Sequence, residues 1–442
     1  MTLENLKQIM KENGVVGAGG AGFPSYAKLD KKADTIILNC AECEPLLKLH
    51  RQVLAKYAFE IMSTLDIIAE TVEADTVIIA VKKAYKEAVN AVKAHLDSFK
   101  KIKIGYLPEI YPAGDEVVTI YETTGRVVAP GKIPISVGVT VFNVETIYNV
   151  YKALNNLGPV TYKYITVAGE VNNPITVKVP LGTPIGEVIE MAGGAKIKDF
   201  RLVNGGPMTG MITDVYNTVT KTTNGILVMP KDHYIINKKL QDVKTDMKRA
   251  MSACCQCRMC TDLCSRNLLG HPIEPHKFMR AATSGDTKDI GPFINTMFCS
   301  ACGICEMYAC GQGLSPRTLI SAYKSGLRKN GVKPPENVKF DEVSKQREFR
   351  KVPIPRLVAR LGLKPYDVPA PLDDELRTVK NVKIALQQHI GAPAEAVVKK
   401  GDRVTAGQVI GKSSQDKLGV NIHSSVTGEV IDVNDKFVTI KA

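Results

Sequence analysis

The chain has 442 residues, of which 44% are apolar and 23% are charged, and this composition indicates a globular protein of about three domains. It contains no run of about eighteen apolar residues, so no membrane-spanning helix is predicted. The formal net charge is +13 and tryptophan is absent. Because the lysines are scattered and no nucleic-acid motif occurs, we expect no nucleic-acid partner, only a basic surface that attracts anionic dinucleotides or an acidic partner.

The amino terminus and the cysteines indicate the compartment. Residues 1–7 begin an amphipathic helix and lack the features of a signal peptide. Most of the 11 cysteines are clustered in a way typical of metal binding. Such thiols persist in a reducing environment, so a cytoplasmic location is predicted.

The first domain, residues 1–157, is predicted to be an α/β layer with a largely parallel sheet. Residues 2–13 form a helix in this interpretation, because Leu3, Leu6, Ile9 and Met10 share one face. Buried-type strands then alternate with helices, and the polar motifs fall at strand ends, where such sheets bind ligands. The predicted strands are 35–39, 75–81, 102–106 and 137–142, and the later helices are 46–70, 83–98 and two that open near 111–116 and 143–146.

Two short motifs of this domain have more than one interpretation. The segment 14–24 has five glycines within nine residues, which favours either a phosphate-binding loop or a simple turn. Cys40 and Cys43 form a C-x-x-C pair, which is found in redox disulfides and metal sites. Small buried thiols also pack well in cores, and we favour that interpretation for this pair.

The middle segment, residues 160–215, is predicted to form a small β-grasp unit. Two alternating strands flank an Asn-Asn-Pro turn at 172–174, and a helix starting at Thr183 is followed by a strand over 201–204. The unit resembles the soluble-ligand-binding β-grasp (SLBB) domain. Ligand capture and a purely spacing role both remain open for it.

Residues 246–330 carry two cysteine runs that predict a helical, ferredoxin-like domain with two 4Fe–4S clusters. Three thiolates at C-x2-C-x2-C spacing hold three irons of one cluster, and in two-cluster ferredoxins the fourth cysteine of each run serves the other cluster. One predicted set is therefore Cys254, Cys257, Cys260 and Cys310, and the other is Cys299, Cys302, Cys305 and Cys264.

Zinc sites and disulfides are the alternatives to clusters. Structural zinc sites use separated C-x2-C pairs and not triplets, and disulfides are expected in secreted chains. Cys255 is interpreted as a non-ligating thiol. His271 and His276 follow the first run and are assigned to packing or the surface, although histidine ligation is an open alternative.

The remainder of the chain is predicted to be a proline-rich extended linker, 331–380, followed by an all-β module, 381–442. The module resembles the barrel-sandwich (hammerhead) fold of biotinyl and lipoyl carriers. Those carriers need a lysine at the hairpin tip, and the matching stretch, 424–427, has none. A structural module without a swinging arm is therefore expected.

Four motifs of the first domain resemble the flavin-binding subunit of respiratory complex I and, more closely, the C subunit of the Rnf complex. The resemblance implies that Lys28 meets a phosphate, that Phe23, Glu44 and Glu116 face the nicotinamide nucleotide, and that other motif residues line FMN. The residues assigned to FMN or counted with its motifs are Gly17, Gly19, Gly20, Asn39, Glu42, Tyr111, Gly114, Asp115, Asn143, Glu145 and Thr146.

The order of the modules resembles PduS-type cobalamin reductases, because the barrel-sandwich module comes last. That resemblance implies an NADH-dependent oxidoreductase that passes electrons through FMN and two 4Fe–4S clusters to cobalamin or to a cobalamin-handling partner, inside a propanediol-utilisation microcompartment. An Rnf C-like subunit that moves electrons between NADH and ferredoxin is the alternative. A non-enzymatic docking scaffold is a third hypothesis.

Overall fold

A computed structural model describes residues 1–442. The N-terminal domain is built on a four-stranded parallel sheet in the order β3-β2-β1-β5. Its elements are α1 (Leu3–Glu12), β1 (Thr35–Cys40), α2 (Leu49–Lys56), α3 (Ala58–Val72), β2 (Thr76–Lys82), α4 (Lys86–His95), β3 (Ile102–Leu107), β4 (Ile110–Tyr111), α5 (Glu116–Thr124), β5 (Val139–Asn143) and α6 (Val144–Leu154).

The helix starts of this domain have local causes. Thr2 accepts a hydrogen bond from the Asn5 amide and caps α1, while Asp115 and Asn143 cap α5 and α6 in the same way. The single helix predicted over 46–70 is wrong, because the chain breaks at Tyr57 into α2 and α3. The capping residues of α5 and α6 follow the sheet edge, and this places polar side chains beside the glycine-rich loop.

The β-grasp domain follows with β6 (Tyr162–Gly169), β7 (Ile175–Pro180), α7 (Ile185–Met191), β8 (Phe200–Asn204), β9 (Met211–Thr213) and β10 (Gly225–Pro230). Its sheet extends past residue 215, since β10 pairs with both β6 and β8. This domain and the N-terminal domain share one core of 49 buried apolar residues.

The cysteine-rich domain is helical and has little apolar interior of its own, with a core of six buried residues that includes Phe278 and Leu319. Its helices are α8 (Tyr234–Lys239), α9 (Val243–Ala253), α10 (Met259–Asp262), α11 (Ser265–Leu268), α12 (Pro275–Ser284), α13 (Gly291–Ile294), α14 (Ile304–Met307) and α15 (Pro316–Lys329).

The proline-rich segment carries α16 (Arg347–Arg350), β11 (Val352–Pro353), α17 (Ile354–Arg360) and β12 (Leu372–Leu376). β11 pairs with β4 of the N-terminal domain, and β12 adds a parallel edge strand to the β-grasp sheet, whose order is β12-β7-β6-β10-β8-β9. Asp374 of β12 accepts hydrogen bonds from the hydroxyls of Tyr57 and Tyr164. The segment thus straps the two domains together.

The C-terminal module consists of two small sheets, β13-β19-β18-β15 and β14-β16-β17, around ten buried apolar residues. Its strands are β13 (Asn381–Ala385), β14 (Glu395–Ala396), β15 (Arg403–Val404), β16 (Val409–Lys412), β17 (Ile422–His423), β18 (Gly428–Val433) and β19 (Phe437–Lys441). The module touches the glycine-rich loop, where the Ile390 amide donates to the Gly22 carbonyl at 3.3 Å. No helix in the structure is both long and apolar enough to cross a bilayer.

Candidate functional site

A cavity of about 520 Å³ opens between the glycine-rich loop and the carboxyl ends of β1 and β5. This volume lies within the range of small-molecule sites. Lys28 and Glu116 face it, and so do Ser25, Thr140 and the loop 133–135, which the sequence motifs did not indicate. The predicted cofactor residues that line the cavity are Gly17, Gly19, Gly20, Phe23, Lys28, Asn39, Gly114, Glu116, Asn143 and Thr146.

The glycine-rich loop is tied to the sheet edge by its backbone. The Gly17 amide donates to the Phe23 carbonyl at 2.9 Å, and the Ala18 amide donates to the Thr146 hydroxyl at 2.9 Å. A Cβ atom added at Gly19 would lie 2.4 Å from Nδ2 of Asn143, so a larger residue here would displace the Asn143 side chain. A backbone wall of this kind fits a planar, phosphate-bearing group such as FMN.

Two polar side chains at the cavity are already engaged. The Lys28 ammonium contacts the Glu116 carboxylate at 2.9 Å and the Val141 carbonyl at 3.0 Å. Asn39 donates from Nδ2 to the Gly114 carbonyl at 3.0 Å and accepts from the Ala41 amide. A phosphate placed against Lys28 would therefore compete with Glu116 for the ammonium.

Two predicted residues lie behind the cavity and not in it. Glu42 accepts from the His50 amide at 2.8 Å and from Nε of Arg51 at 2.9 Å. Glu145 pairs with Lys163, and both side chains are buried. A buried carboxylate needs donors to offset its desolvation, and here the donors belong to the protein itself.

Three further predicted residues turn toward other domains. Asp115 pairs with Arg266 of the cysteine-rich domain at 2.9 Å. The Tyr111 hydroxyl donates to the Cys302 carbonyl at 2.6 Å. Glu44 accepts from backbone amides of the β-grasp domain. The Tyr111 contact joins the cavity domain directly to the second cysteine run, and the Asp115 contact joins it to the residues after the first run.

The first predicted cysteine set surrounds one small cavity of about 30 Å³, which His276 also lines. Burial, reinforced by the neighbouring thiols of the set, raises the pKa of Cys260 to about 12. The Leu314 amide donates to Sγ of Cys310 at 3.3 Å. Such a hydrogen bond stabilises a thiolate and shifts the reduction potential of a bound cluster. The thiols that face this cavity are Cys254, Cys257, Cys260 and Cys310, with the exposed Cys255 beside them.

The second set is brought together across the two runs. Burial raises the pKa of Cys264 to about 12, and the nearby Cys302 and Cys299 thiolates raise it further. Burial and the same two neighbours raise the pKa of Cys305. The Ala301 amide donates to Sγ of Cys299 at 3.3 Å. Thiols with amide donors fit a 4Fe–4S cluster, and ligation of clusters by these two sets stays a prediction.

The remaining candidates have local roles. Cys40 and Cys43 are free thiols, and burial raises the pKa of Cys43 to about 12, so it is poorly suited to thiolate chemistry. His271 contacts the Val128 carbonyl through Nε2 at 2.9 Å. His276 shares a hydrogen bond with the Thr261 hydroxyl.

Comparisons with known proteins agree with this architecture. Four family models match in chain order: the Nuo51 FMN-binding domain over residues 10–152, the SLBB domain over 164–212, a 4Fe-4S dicluster domain over 253–315 and the RnfC barrel sandwich hybrid domain over 373–442. The predicted fold class is thereby confirmed. The chain has an FMN-binding domain and a 4Fe–4S dicluster domain.

Curated relatives extend the match to the whole chain. The chain is 40% identical to "Cobalamin reductase PduS" of Salmonella typhimurium, over 100% of this chain and 97% of the relative. It is 39% identical to the protein of the same name from Citrobacter freundii, over 99% and 96%. The C subunit of the Na(+)-translocating ferredoxin:NAD(+) oxidoreductase complex of Acetobacterium woodii is 30% identical over 61% of this chain and 59% of the relative. With this identity to the two cobalamin reductases over its full length, the chain belongs to the PduS family of cobalamin reductases.

Proposed function

We propose that this chain is an NADH-dependent flavin and iron–sulfur oxidoreductase that reduces cobalamin. In the proposed reaction, NADH and two cob(III)alamins give NAD+, a proton and two cob(II)alamins, so electrons and charge balance. The observation that carries the proposal is the 2.6 Å hydrogen bond from Tyr111 to the Cys302 carbonyl, because it joins the flavin domain to a cysteine set. The relatives named cobalamin reductase supply the acceptor.

The chain's own residues bind and space the redox groups. We assign FMN to the glycine-lined cavity, with Lys28 against its phosphate and Asn143 and Thr146 at the loop. Phe23 and Glu116 face the space left for the nicotinamide. When bound, FMN supplies the conversion between a two-electron donor and one-electron acceptors. No side chain is required as an acid or base.

The two cysteine sets differ in position, and this suggests the direction of the relay. The set of Cys264, Cys299, Cys302 and Cys305 lies against the flavin domain. In the other set Cys257 is exposed to solvent. We call the set against the flavin domain the inner set and the other the outer set. We propose that the inner set receives electrons from the flavin domain and that the outer set delivers them to an acceptor at the surface.

The test is an anaerobic assay of the full chain after reconstitution with FMN, iron and sulfide. NADH is added, and flavin bleaching and cob(II)alamin formation are followed in one cuvette. We expect both signals, with two cobalts reduced per NADH. Bleaching without cobalt reduction would reject cobalamin as the acceptor and favour ferredoxin or another protein, as in an Rnf C-like subunit. Absence of bleaching would reject NADH as the donor and favour the scaffold hypothesis.

We further propose that the protein works with a cobalamin-handling partner inside a bacterial microcompartment. The support is the family resemblance alone. Fractionation of cells grown on a diol tests it, and we expect the chain to sediment with intact shells and to be released when shells are broken. Recovery entirely in the shell-free fraction would contradict this location.

A further inference from the structure

The Glu44 carboxylate is held by a loop of the β-grasp domain, residues 205–210, which we call the β-grasp loop. It accepts from the Met208 amide at 2.9 Å, the Thr209 amide at 3.0 Å and the Thr209 hydroxyl at 2.7 Å. A Cβ atom added at Gly206 would lie 2.1 Å from Oε2 of Glu44. The loop therefore fits closely around this carboxylate and supplies its hydrogen-bond donors.

The same loop contacts the cysteine-rich domain. The Met208 side chain is fully buried and belongs to a core that also contains Leu46 and Tyr111 of the flavin domain and Ile304 and Met307 of α14. Lys239 of α8 donates to the carbonyls of Met208 and Gly210. Since α14 contains Cys305, the loop is wedged between the flavin domain and the inner cysteine set.

Tyr111 also lies at this contact between the flavin domain and the inner cysteine set, which we call the joint. Its hydroxyl lies 3.5 Å from Oε1 of Glu44 and 2.6 Å from the Cys302 carbonyl, to which it donates. Its ring is buried. The single hydroxyl proton goes to Cys302, so Glu44 lies beside Tyr111 without receiving it, and the β-grasp loop holds Glu44 while Tyr111 binds the inner cysteine set.

We propose that Glu44 is a positioning residue that fixes the flavin cavity relative to the inner cysteine set, and that the β-grasp domain serves as the wedge of this joint. Glu44 then acts through the β-grasp loop and does not contact the nicotinamide nucleotide, contrary to the role that the complex I resemblance implies. The inference rests on the proposed relay. For each hydride accepted, two single-electron transfers cross the joint and the proton goes to solvent.

The test compares three variants of the full, reconstituted chain. Glu44→Gln puts an NH2 group against amide donors and should loosen the joint, while Thr209→Val removes only the hydroxyl donor. Glu170→Gln is the matched control, because Glu170 accepts from the Tyr366 hydroxyl at 2.8 Å and ties the same β-grasp domain to the strap. Stopped-flow measurements give the rate of flavin bleaching by NADH and the rate of cluster reduction separately.

We expect Glu44→Gln to leave bleaching and the KM for NADH unchanged and to slow flavin-to-cluster transfer about tenfold, since a small displacement of reacting groups has a large kinetic effect. Thr209→Val should slow the same step less, and Glu170→Gln should not slow it. Slower bleaching with unchanged internal transfer would overturn the proposal in favour of a nicotinamide contact. Unchanged rates for both steps would overturn it as well.

Two readouts separate this proposal from the proposed function. Light-driven reduction of the flavin with EDTA measures internal transfer even when NADH does not react. Hydrogen exchange of the Met208 and Thr209 amides, measured on the reconstituted chain without NADH or cobalamin, should be faster in Glu44→Gln than in the Glu170→Gln control. Equal exchange would show that Glu44 does not hold the loop and would overturn the inference. If Glu44→Gln does not fold, Thr209→Val provides the same comparisons.

Discussion

The flavin domain and the cysteine-rich domain provide their sites by different means. The flavin domain shares a core of 49 buried apolar residues with the β-grasp domain, and its cavity is formed by backbone and capping side chains on that core. The cysteine-rich domain has six residues in its own core, and its helices α10, α11, α13 and α14 span four residues each. Helices this short are not stable alone, so we expect the bound clusters, together with the core that α14 shares with the other domains, to supply much of the order of that domain.

The largest expected effect follows from this difference. Removal of iron by an anaerobic chelator should destabilise residues 246–330 by on the order of several kcal/mol, because metal-binding free energy becomes folding free energy. Removal of FMN should leave the flavin domain folded. Limited proteolysis measures both, and cleavage confined to the cysteine-rich domain after iron removal is the expected pattern. Equal resistance of the two domains without iron would contradict the comparison.

Replacement of one cysteine should remove one of the two predicted clusters and leave the other in place. Cys257→Ser is expected to lower the iron content by about half and to leave flavin bound, because the sets are separate. Reduction of the final acceptor should fall with it. Cys255→Ser is the matched control at the adjacent exposed thiol and should retain all iron. Full iron content in Cys257→Ser, measured by colorimetric assay, would refute the ligand assignment.

Acid should weaken the junction between the domains through His271. Burial, with a contribution from the nearby Arg266, lowers the pKa of His271 to about 4. The unfolded chain therefore binds more protons than the folded chain between pH 4 and 6.5, and stability falls as the pH drops through this window. Between pH 7 and 5.5 the expected loss is on the order of 1 kcal/mol.

His271→Gln is the variant that checks this assignment, since its amide can donate to the Val128 carbonyl without titrating. Denaturant midpoints at the two pH values should differ less in the variant than in the parent chain. His95→Gln, at a position on the surface side of α4, serves as the control and should behave as the parent does. The same pH dependence in parent and His271→Gln would assign the loss to other groups.

The smallest effect concerns the ion pair between Asp115 and Arg266. Asp115→Asn keeps the helix cap, because asparagine caps about as well as aspartate, and removes the charge. We expect a loss of about 1 kcal/mol, since the pair is only partly buried. A double-mutant cycle with Arg266→Gln measures the coupling between the domains. A coupling energy near zero would show that the pair does not hold the domains together.

Local sequence patterns were sufficient for much of the fold. The alternation of strands and helices in residues 1–157 predicted a parallel sheet, and the glycine-rich loop does lie at its edge. The missing lysine at 424–427 predicts a last module without a swinging arm, and this stays a prediction. Boundaries were less accurate, as the break at Tyr57 and the distant strand β10 show, because pairing with remote strands decides where a sheet ends.

The motif carboxylates show what local patterns could not provide. Glu42, Glu44, Asp115 and Glu145 belong to motifs that line a cofactor in the resembling family, but here each is engaged by protein donors. The partner of Asp115 lies 151 residues away and that of Glu44 lies 164 residues away along the chain. A motif does not reveal which donors the tertiary structure brings to a carboxylate.

The sequence by itself determined the modules, their order and the family, and it placed the cysteine triplets, because spacing within a run decides how many thiols reach one site. Only the tertiary structure decided that the strap adds a strand to the β-grasp sheet and that Tyr111 joins the flavin domain to Cys302. The physical reason is that hydrogen bonds, ion pairs and strand pairing act over a few ångströms in space, whatever the separation of their residues along the chain.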